Sequence, residues 1–412
     1  MDTVNITGAD VLKVSHVPKT AAEDRSDVKH RLTVGAFNWM IPHYRQSLFS
    51  LLSKHPTIEF TFCAPIRYHD PTIRIGDVRQ LRYKEIRSWQ WKIPFMPQYV
   101  TVQLHSIRAI IRNEYDVLIL LNDIAGVDVW ICLVLARLLG RRVVLWGQAL
   151  SKSPSRMRIF MRRIMSDLAD ALLVYTDRGK EFWTREGVDP AKIFVAYNAL
   201  DTKRIDEVRQ SLAQRDLLEY RNRRQWGDKK IIVVDGRLVP EKRIDIVLQA
   251  MKRVVERHSN THLVIIGDGP MKQEIHRLME VNDIPHMVTL LGAVYDEREL
   301  GLVYRNAVAS MLPAFAGLAI MHAFSYGVPF IIGRGKSTDH GPEADLVIHN
   351  ENGFVCDLDS VDEFADAICM LLENDALQKS MSDHAFRIIH EKYNLDNMAA
   401  GIVEAVRYCA QL

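Results

Sequence analysis

Residues 313–329 read Pro313-Ala314-Phe315-Ala316-Gly317-Leu318-Ala319-Ile320-Met321-His322-Ala323-Phe324-Ser325-Tyr326-Gly327-Val328-Pro329. A strand that ends near Pro313 gives way to a helix that starts near Gly317. The first N–H groups of that helix, and the positive end of its dipole, face an anion. Gly327 stops the helix and Pro329 opens the next strand. His322 lies four residues past Leu318 and so shares its helical face.

Upstream of this stretch the same pattern recurs. Gly236-Arg237-Leu238-Val239-Pro240-Glu241-Lys242 follows an apolar run and sets two cations, five apart, at the carboxyl edge of a sheet, where α/β folds bind ligands. Such a pair would neutralise a diphosphate leaving group without a metal; a solvated loop and helix start accounts for the residues equally well. Gly267-Asp268-Gly269-Pro270 and Leu291-Gly292-Ala293-Val294 also follow strands, as close approaches of backbone to ligand or as plain turns.

Further out, short β-rich runs alternate with helical periodicity along the whole chain, which predicts parallel sheets with crossover helices. In the first half the strands are expected at 32–37, 58–63, 117–121, 143–146, 172–175 and 193–196, with amphipathic helices at 44–54 and 99–113. In the second half they are expected at 231–234, 262–266, 288–291, 307–312, 328–332 and 353–356. Residues 201–229 are charged and strand-free. The expected organisation is a polar leader (1–30), a first Rossmann-like domain (31–202), a connecting helical segment (203–228), a second Rossmann-like domain (229–390) and a final helix (391–412) that crosses back to the first domain.

The chain has 412 residues, 48% of them hydrophobic and 25% charged, with a formal charge of +2, which is the make-up of a folded protein with no call for a nucleic-acid partner. Cys63, Cys132, Cys356, Cys369 and Cys409 show no CxxC spacing, and several lie in apolar runs; buried reduced thiols in a cytoplasmic protein are expected. The longest apolar stretch, 115–140, is broken by Asp116, Asp123, Asp128 and Arg137, so it predicts no membrane span.

Taken together, the C-terminal motifs resemble the donor-binding half of glycosyltransferase family 4, retaining enzymes of the GT-B architecture, in which two Rossmann-like domains face a cleft. The residues that carry the resemblance are the Gly236–Lys242 block, Gly267–Pro270, the glycine before Val294, Gly317-Leu318 with Gly327 and Pro329, His340-Gly341-Pro342-Glu343 and Asn352-Gly353. The first half adds His43-Tyr44-Arg45, Trp146-Gly147 and Tyr197–Asp201. The resemblance implies transfer of a sugar from a nucleoside-diphosphate sugar, a co-substrate and no cofactor, to a saccharide or lipid-linked saccharide acceptor. Arg237 and Lys242 would stabilise the leaving diphosphate without a metal, and Gly236, Gly267, Val294, Gly317, Leu318, His322 and Glu343 would line the donor site. His43, Tyr44, Arg45 and Gln148 would stand on the acceptor side.

The pattern departs from the family at three positions. Relatives commonly carry two glutamates where this chain has Ala314 and His322, and a histidine where it has Gln148. The resemblance therefore implies a divergent subgroup. A catalytically silent nucleotide-binding protein and a nucleotide-sugar epimerase of the same fold stay open as alternatives.

Two clusters on the first half bear on location. Lys152–Arg163 is basic, with Met157, Phe160, Met161 and Ile164 at helical spacing; it reads either as a helix that packs those residues on the sheet or as one that lies on an anionic bilayer. Arg82, Lys84, Arg87, Trp89, Trp91 and Lys92 interleave cations with aromatics. They make peripheral contact with the inner face of a membrane a second expectation. Gly333–Thr338 falls short of a phosphate-binding P-loop because Phe330 stands where its first glycine should be. Asp357 and Asp359 read as a helix start around Ser360.

Overall fold

The computed structural model describes residues 31–66, 75–92, 99–148, 155–335 and 340–412, and within them fifteen strands and fourteen helices, thirteen of the strands in two parallel sheets. Expectations placed on 1–30, on Lys152 and on Lys336–Thr338 lie outside the described residues. Among these, no helix is long and apolar enough to cross a membrane.

The first half runs β1 (Leu32–Phe37), α1 (Gln46–Ser53), β2 (Ile58–Ala64), β3 (Tyr83–Glu85), β4 (Trp89–Lys92), β5 (Tyr99–Val102), α2 (Leu104–Arg112), β6 (Val117–Leu121), α3 (Val127–Leu139), β7 (Arg142–Trp146), α4 (Arg156–Leu168), β8 (Ala171–Val174), α5 (Asp177–Arg185) and β9 (Ile193–Val195). Its sheet has the order β3-β2-β1-β6-β7-β8-β9, and β4 and β5 form a separate antiparallel hairpin. Strands are apolar on both sides because helices cover both faces: Val117 and Ile119 of β6 point to one layer, Leu118 and Leu120 to the other.

Two helices, α6 (Thr202–Ser211) and α7 (Gln214–Arg223), bridge to the second half and pack on it. There follow β10 (Lys230–Asp235), α8 (Ile244–Arg257), β11 (Thr261–Ile266), α9 (Lys272–Val281), β12 (Val288–Gly292), α10 (Glu297–Tyr304), β13 (Ala307–Leu312), α11 (Leu318–Ser325), β14 (Phe330–Arg334), β15 (Gly353–Asp357), α12 (Val361–Glu373), α13 (Asp375–Glu391) and α14 (Leu395–Gln411). The second sheet has the order β12-β11-β10-β13-β14-β15. Strand order reverses between β10 and β13, which leaves a crevice at their carboxyl ends.

Helix α14 returns to the first half and packs on β7, β8, β9 and α1. Gly401 permits this: a Cβ there would stand 2.1 Å from the Val195 carbonyl oxygen. Two sequence expectations are corrected. The helix expected over 99–113 starts only at Leu104, because the β-branched run before it pairs with β4. The strand expected over 328–332 is Phe330–Arg334, since Val328 N–H still closes the end of α11 on the Ala323 carbonyl and Pro329 has no N–H to give the ladder. All five cysteines are buried and free, and Ser360 caps α12 by accepting from Glu363 N–H.

Candidate functional site

The crevice between β10 and β13 brings the two sequence-selected blocks together. After β10 the chain passes Gly236 and Arg237 into a 3-10 turn over Pro240–Lys242. Lys242 is buried, and its Nζ donates to the Phe315 carbonyl in the loop that follows β13, at 2.8 Å. It reaches there by lying across Gly236, where a Cβ would stand 2.8 Å from Nζ. Burial lowers the lysine to about 8, Asp235 opposing that shift and Arg237 adding to it. Arg237 itself is exposed. Two cations thus meet at the rim of the crevice, one of them partly desolvated.

The receiving loop has an unusual backbone. Phe315 has φ 49°, and Gly317, the N-cap of α11, has φ 53° and ψ −139°. Only glycine adopts the latter without strain, and among the described residues a Cβ there would meet nothing closer than 4.0 Å, so in front of Gly317 those residues leave the tip of α11 open. Gly267 is the contrary case: its φ is 140°, but a Cβ would stand 1.9 Å from the Gly236 carbonyl oxygen. That glycine lets two strand ends cross. Val294 is half-buried just past β12.

His322 lies one turn inside α11, in a polar cluster. Its Nε2 lies 2.9 Å from Glu297 Oε1, and Tyr326 donates to the same oxygen at 2.7 Å. The imidazole stacks on Tyr304 and Tyr326, and Tyr304 donates to Asp235 at 3.0 Å. Burial pulls the histidine's pKa down, but Glu297 and Asp235 outweigh it and the net shift is upward. Glu297, Tyr304 and Asp235 stand 18 to 87 positions from His322, and no local spacing marks them; Tyr326, four residues on, is the one partner that helical spacing points to. His322→Ala is expected to leave the Glu297 carboxylate with the Tyr326 hydroxyl but without the imidazole, costing about 1 kcal/mol, and to weaken donor binding. A variant with wild-type melting and wild-type donor affinity would remove both roles.

On the first sheet, His43, Tyr44 and Arg45 form a 3-10 turn after Pro42. His43 is exposed, whereas Arg45 is buried. Arg45 donates to Asn198 Oδ1 and, at 3.2 Å, to the Ala199 carbonyl, and its guanidinium lies near the rings of Tyr44 and Tyr175. Asn198 in turn donates to Glu343 Oε1. A residue expected on the acceptor side and one expected at the donor are thus joined through Asn198. Burial raises Glu343, Arg45 and Asn198 acting the other way. A second contact between the halves runs beside it, Asp345 accepting from Thr176 at 2.9 Å and from Arg178 at 3.1 Å. Gln148 is exposed just past β7, and the buried Trp146 Nε1 and Asn122 Oδ1 beside it have no hydrogen-bond partner among the described residues.

Residues 218–387 match the family model described as glycosyl transferases group 1. The chain is 26% identical over 227 residues to an uncharacterised glycosyltransferase of Methanocaldococcus jannaschii, covering 54% of this chain and 55% of that protein. It is 27% identical over 198 residues to the GDP-mannose-dependent alpha-(1-6)-phosphatidylinositol monomannoside mannosyltransferase of Mycobacterium tuberculosis, covering 46% and 50%. These matches span about half the length of either relative. Among solved structures, Anabaena HepE in complex with UDP superposes with a TM-score of 0.68 at 14% identity, over 91% of this chain and 99% of that one.

Proposed function

We propose, from a two-sheet frame that shares the GT-B architecture, that the chain is a retaining, metal-independent glycosyltransferase. It moves a sugar from a nucleoside-diphosphate sugar to an acceptor hydroxyl, in the synthesis of a surface polysaccharide or glycolipid. The observation that carries this reading is the convergence of Lys242 on the Phe315 loop at the strand-order reversal, with Arg237 at the rim and the tip of α11 open. Charge that develops on a leaving diphosphate there meets two cations and backbone N–H groups already in place.

Gly236, Gly267, Val294 and Leu318 frame the donor, and His322 offers its cluster to the ribose. His43, Tyr44 and Gln148 line the opposite edge, where an acceptor hydroxyl would be brought up to the anomeric carbon. The mycobacterial relative is named for a GDP-mannose donor and a phosphatidylinositol mannoside acceptor, and the Anabaena structure holds UDP; both support a nucleotide sugar here. A lipid-linked acceptor places the enzyme at the inner face of a membrane, as a peripheral protein.

The test is thermal melting with UDP-, GDP- and ADP-sugars, followed by turnover. The matching donor, at 100 times its dissociation constant, should add about 2.7 kcal/mol of stability. With acceptor, it should be consumed at a rate that a chelator leaves unchanged. Binding without turnover would identify a silent nucleotide-binding protein. Consumption that yields an isomeric nucleotide sugar with no acceptor present would identify an epimerase. Stabilisation by none of the three bases would end the proposal.

A further inference from the structure

The helical layer that covers one face of the first sheet is apolar on its outer side. On α3 the exposed residues Val127, Ile131, Val134 and Leu138 recur at i, i+4, i+7 and i+11, one continuous stripe, with Leu138 75% exposed. The one acid of that helix, Asp128, is turned inward, where Ser106 Oγ donates to it at 3.1 Å. Inward, α3 buries Val129, Cys132, Leu133 and Ala136 as well, so it is apolar on its outer face in addition to the inner one, unlike an ordinary surface helix.

The neighbours repeat the arrangement. On α4, Met157, Phe160 and Ile164 are exposed at i, i+3 and i+7, so the reading that packed them on the sheet is corrected: Met165 holds that place. On α2, Leu104 and Ile111 flank exposed Arg108. Helix α3 lies against both α2 and α4, and Arg137 fastens it by donating to the carbonyls of Asp167 and Leu168 at 2.7 and 2.9 Å. Strand β5 also bears on α3, and its hairpin partner β4 turns Trp89 and Trp91 outward.

Charge selects what covers this surface. The three helices carry seven arginines and two acids, and of the acids Asp128 is buried and Asp167 is paired with Arg163. Arg162 and Arg163 face the protein, but Arg112 and Arg156 are exposed at the borders. A second copy docked face to face would oppose arginine to arginine. An anionic bilayer accepts the aliphatic stripes, places tryptophans at the headgroup level and pairs its phosphates with the exposed Arg112 and Arg156.

We infer that the outer face of α2, α3 and α4, with the β4–β5 hairpin, is a docking surface for an anionic lipid bilayer. The inference deepens the membrane-proximal reading above by assigning the surface, and the transfer chemistry does not depend on it. The experiment is flotation of the full chain with vesicles of phosphatidylglycerol and phosphatidylcholine, or of phosphatidylcholine alone. The double variant Val134→Glu/Leu138→Glu and a control, Leu218→Glu on exposed α7, are run beside it.

The wild type and the control should float with the anionic vesicles and much less with the neutral ones. The double variant should partition at least 10-fold less while keeping its melting temperature and its donor hydrolysis. Wild type that stays at the bottom with anionic vesicles would overturn the inference. So would a double variant that floats like wild type, or a wild-type dimer that the double variant turns into a monomer. Donor hydrolysis is read separately, so failure of docking and failure of the transfer proposal are told apart.

Discussion

Lys242→Ala is expected to lower the rate of sugar transfer at least about 100-fold, the loss that follows removal of one preorganised donor to a developing anion. The side chain is buried beside Asp235, and its Nζ is held at the Phe315 carbonyl, so little reorganisation separates it from a phosphate at the tip of α11. The pH profile gives an independent check. With its pKa lowered to about 8, chiefly by burial, the lysine is cationic below pH 8 and loses its charge as pH rises through that value. A bound diphosphate favours the cation, so kcat/KM should fall above pH 8, and donor affinity with it. Removing the Arg237 charge should move that limb to higher pH, because Arg237 is one of the groups that hold Lys242 low. An alkaline limb that survives unchanged in Lys242→Ala would show that another group titrates, and the assignment would fail.

Arg45→Met should destabilise the fold by about 3–5 kcal/mol, the range for removing one partner from a buried charged set. The substitution leaves Glu343 buried with only Asn198 and its own backbone N–H, and Asn198 without the guanidinium that donates to its Oδ1. At about 2–4 °C per kcal/mol for domains of this size, melting should fall by on the order of 10 °C. Adding Glu343→Gln should recover part of the loss, since a neutral amide is less costly to leave in the same place. The competing role, contact with an acceptor phosphate, predicts the opposite pattern: a raised KM for acceptor with melting unchanged. Urea denaturation and acceptor kinetics on the same variant decide between them.

How far these residues were legible in the sequence follows from how local their signals are. β1, β2, β6, β10, β11 and β13 are short apolar runs bounded by turn residues, and they stand where their pattern placed them. The β4–β5 hairpin was missed because Trp89-Gln90-Trp91-Lys92 is too polar to read as a buried strand, and β5 runs directly into α2. Lys242 and Gly317 were chosen from strand-to-glycine punctuation, and the fold brings their loops together. Glu297 was invisible, because nothing within a helical turn of either residue ties it to His322 across 25 positions.

The sequence by itself determined the two parallel sheets, the carboxyl-edge cations and the glycine at the mouth of α11, since each depends on propensity or punctuation within a few residues. The tertiary structure alone decided three things: that Arg45 reaches Glu343 through Asn198, that His322 is held by Glu297 and two tyrosines, and which side of α3 meets solvent. Helix α3 is apolar nearly all round, so its own periodicity names no outer face. Ser106, on another helix, draws Asp128 inward and thereby turns Val134 and Leu138 out.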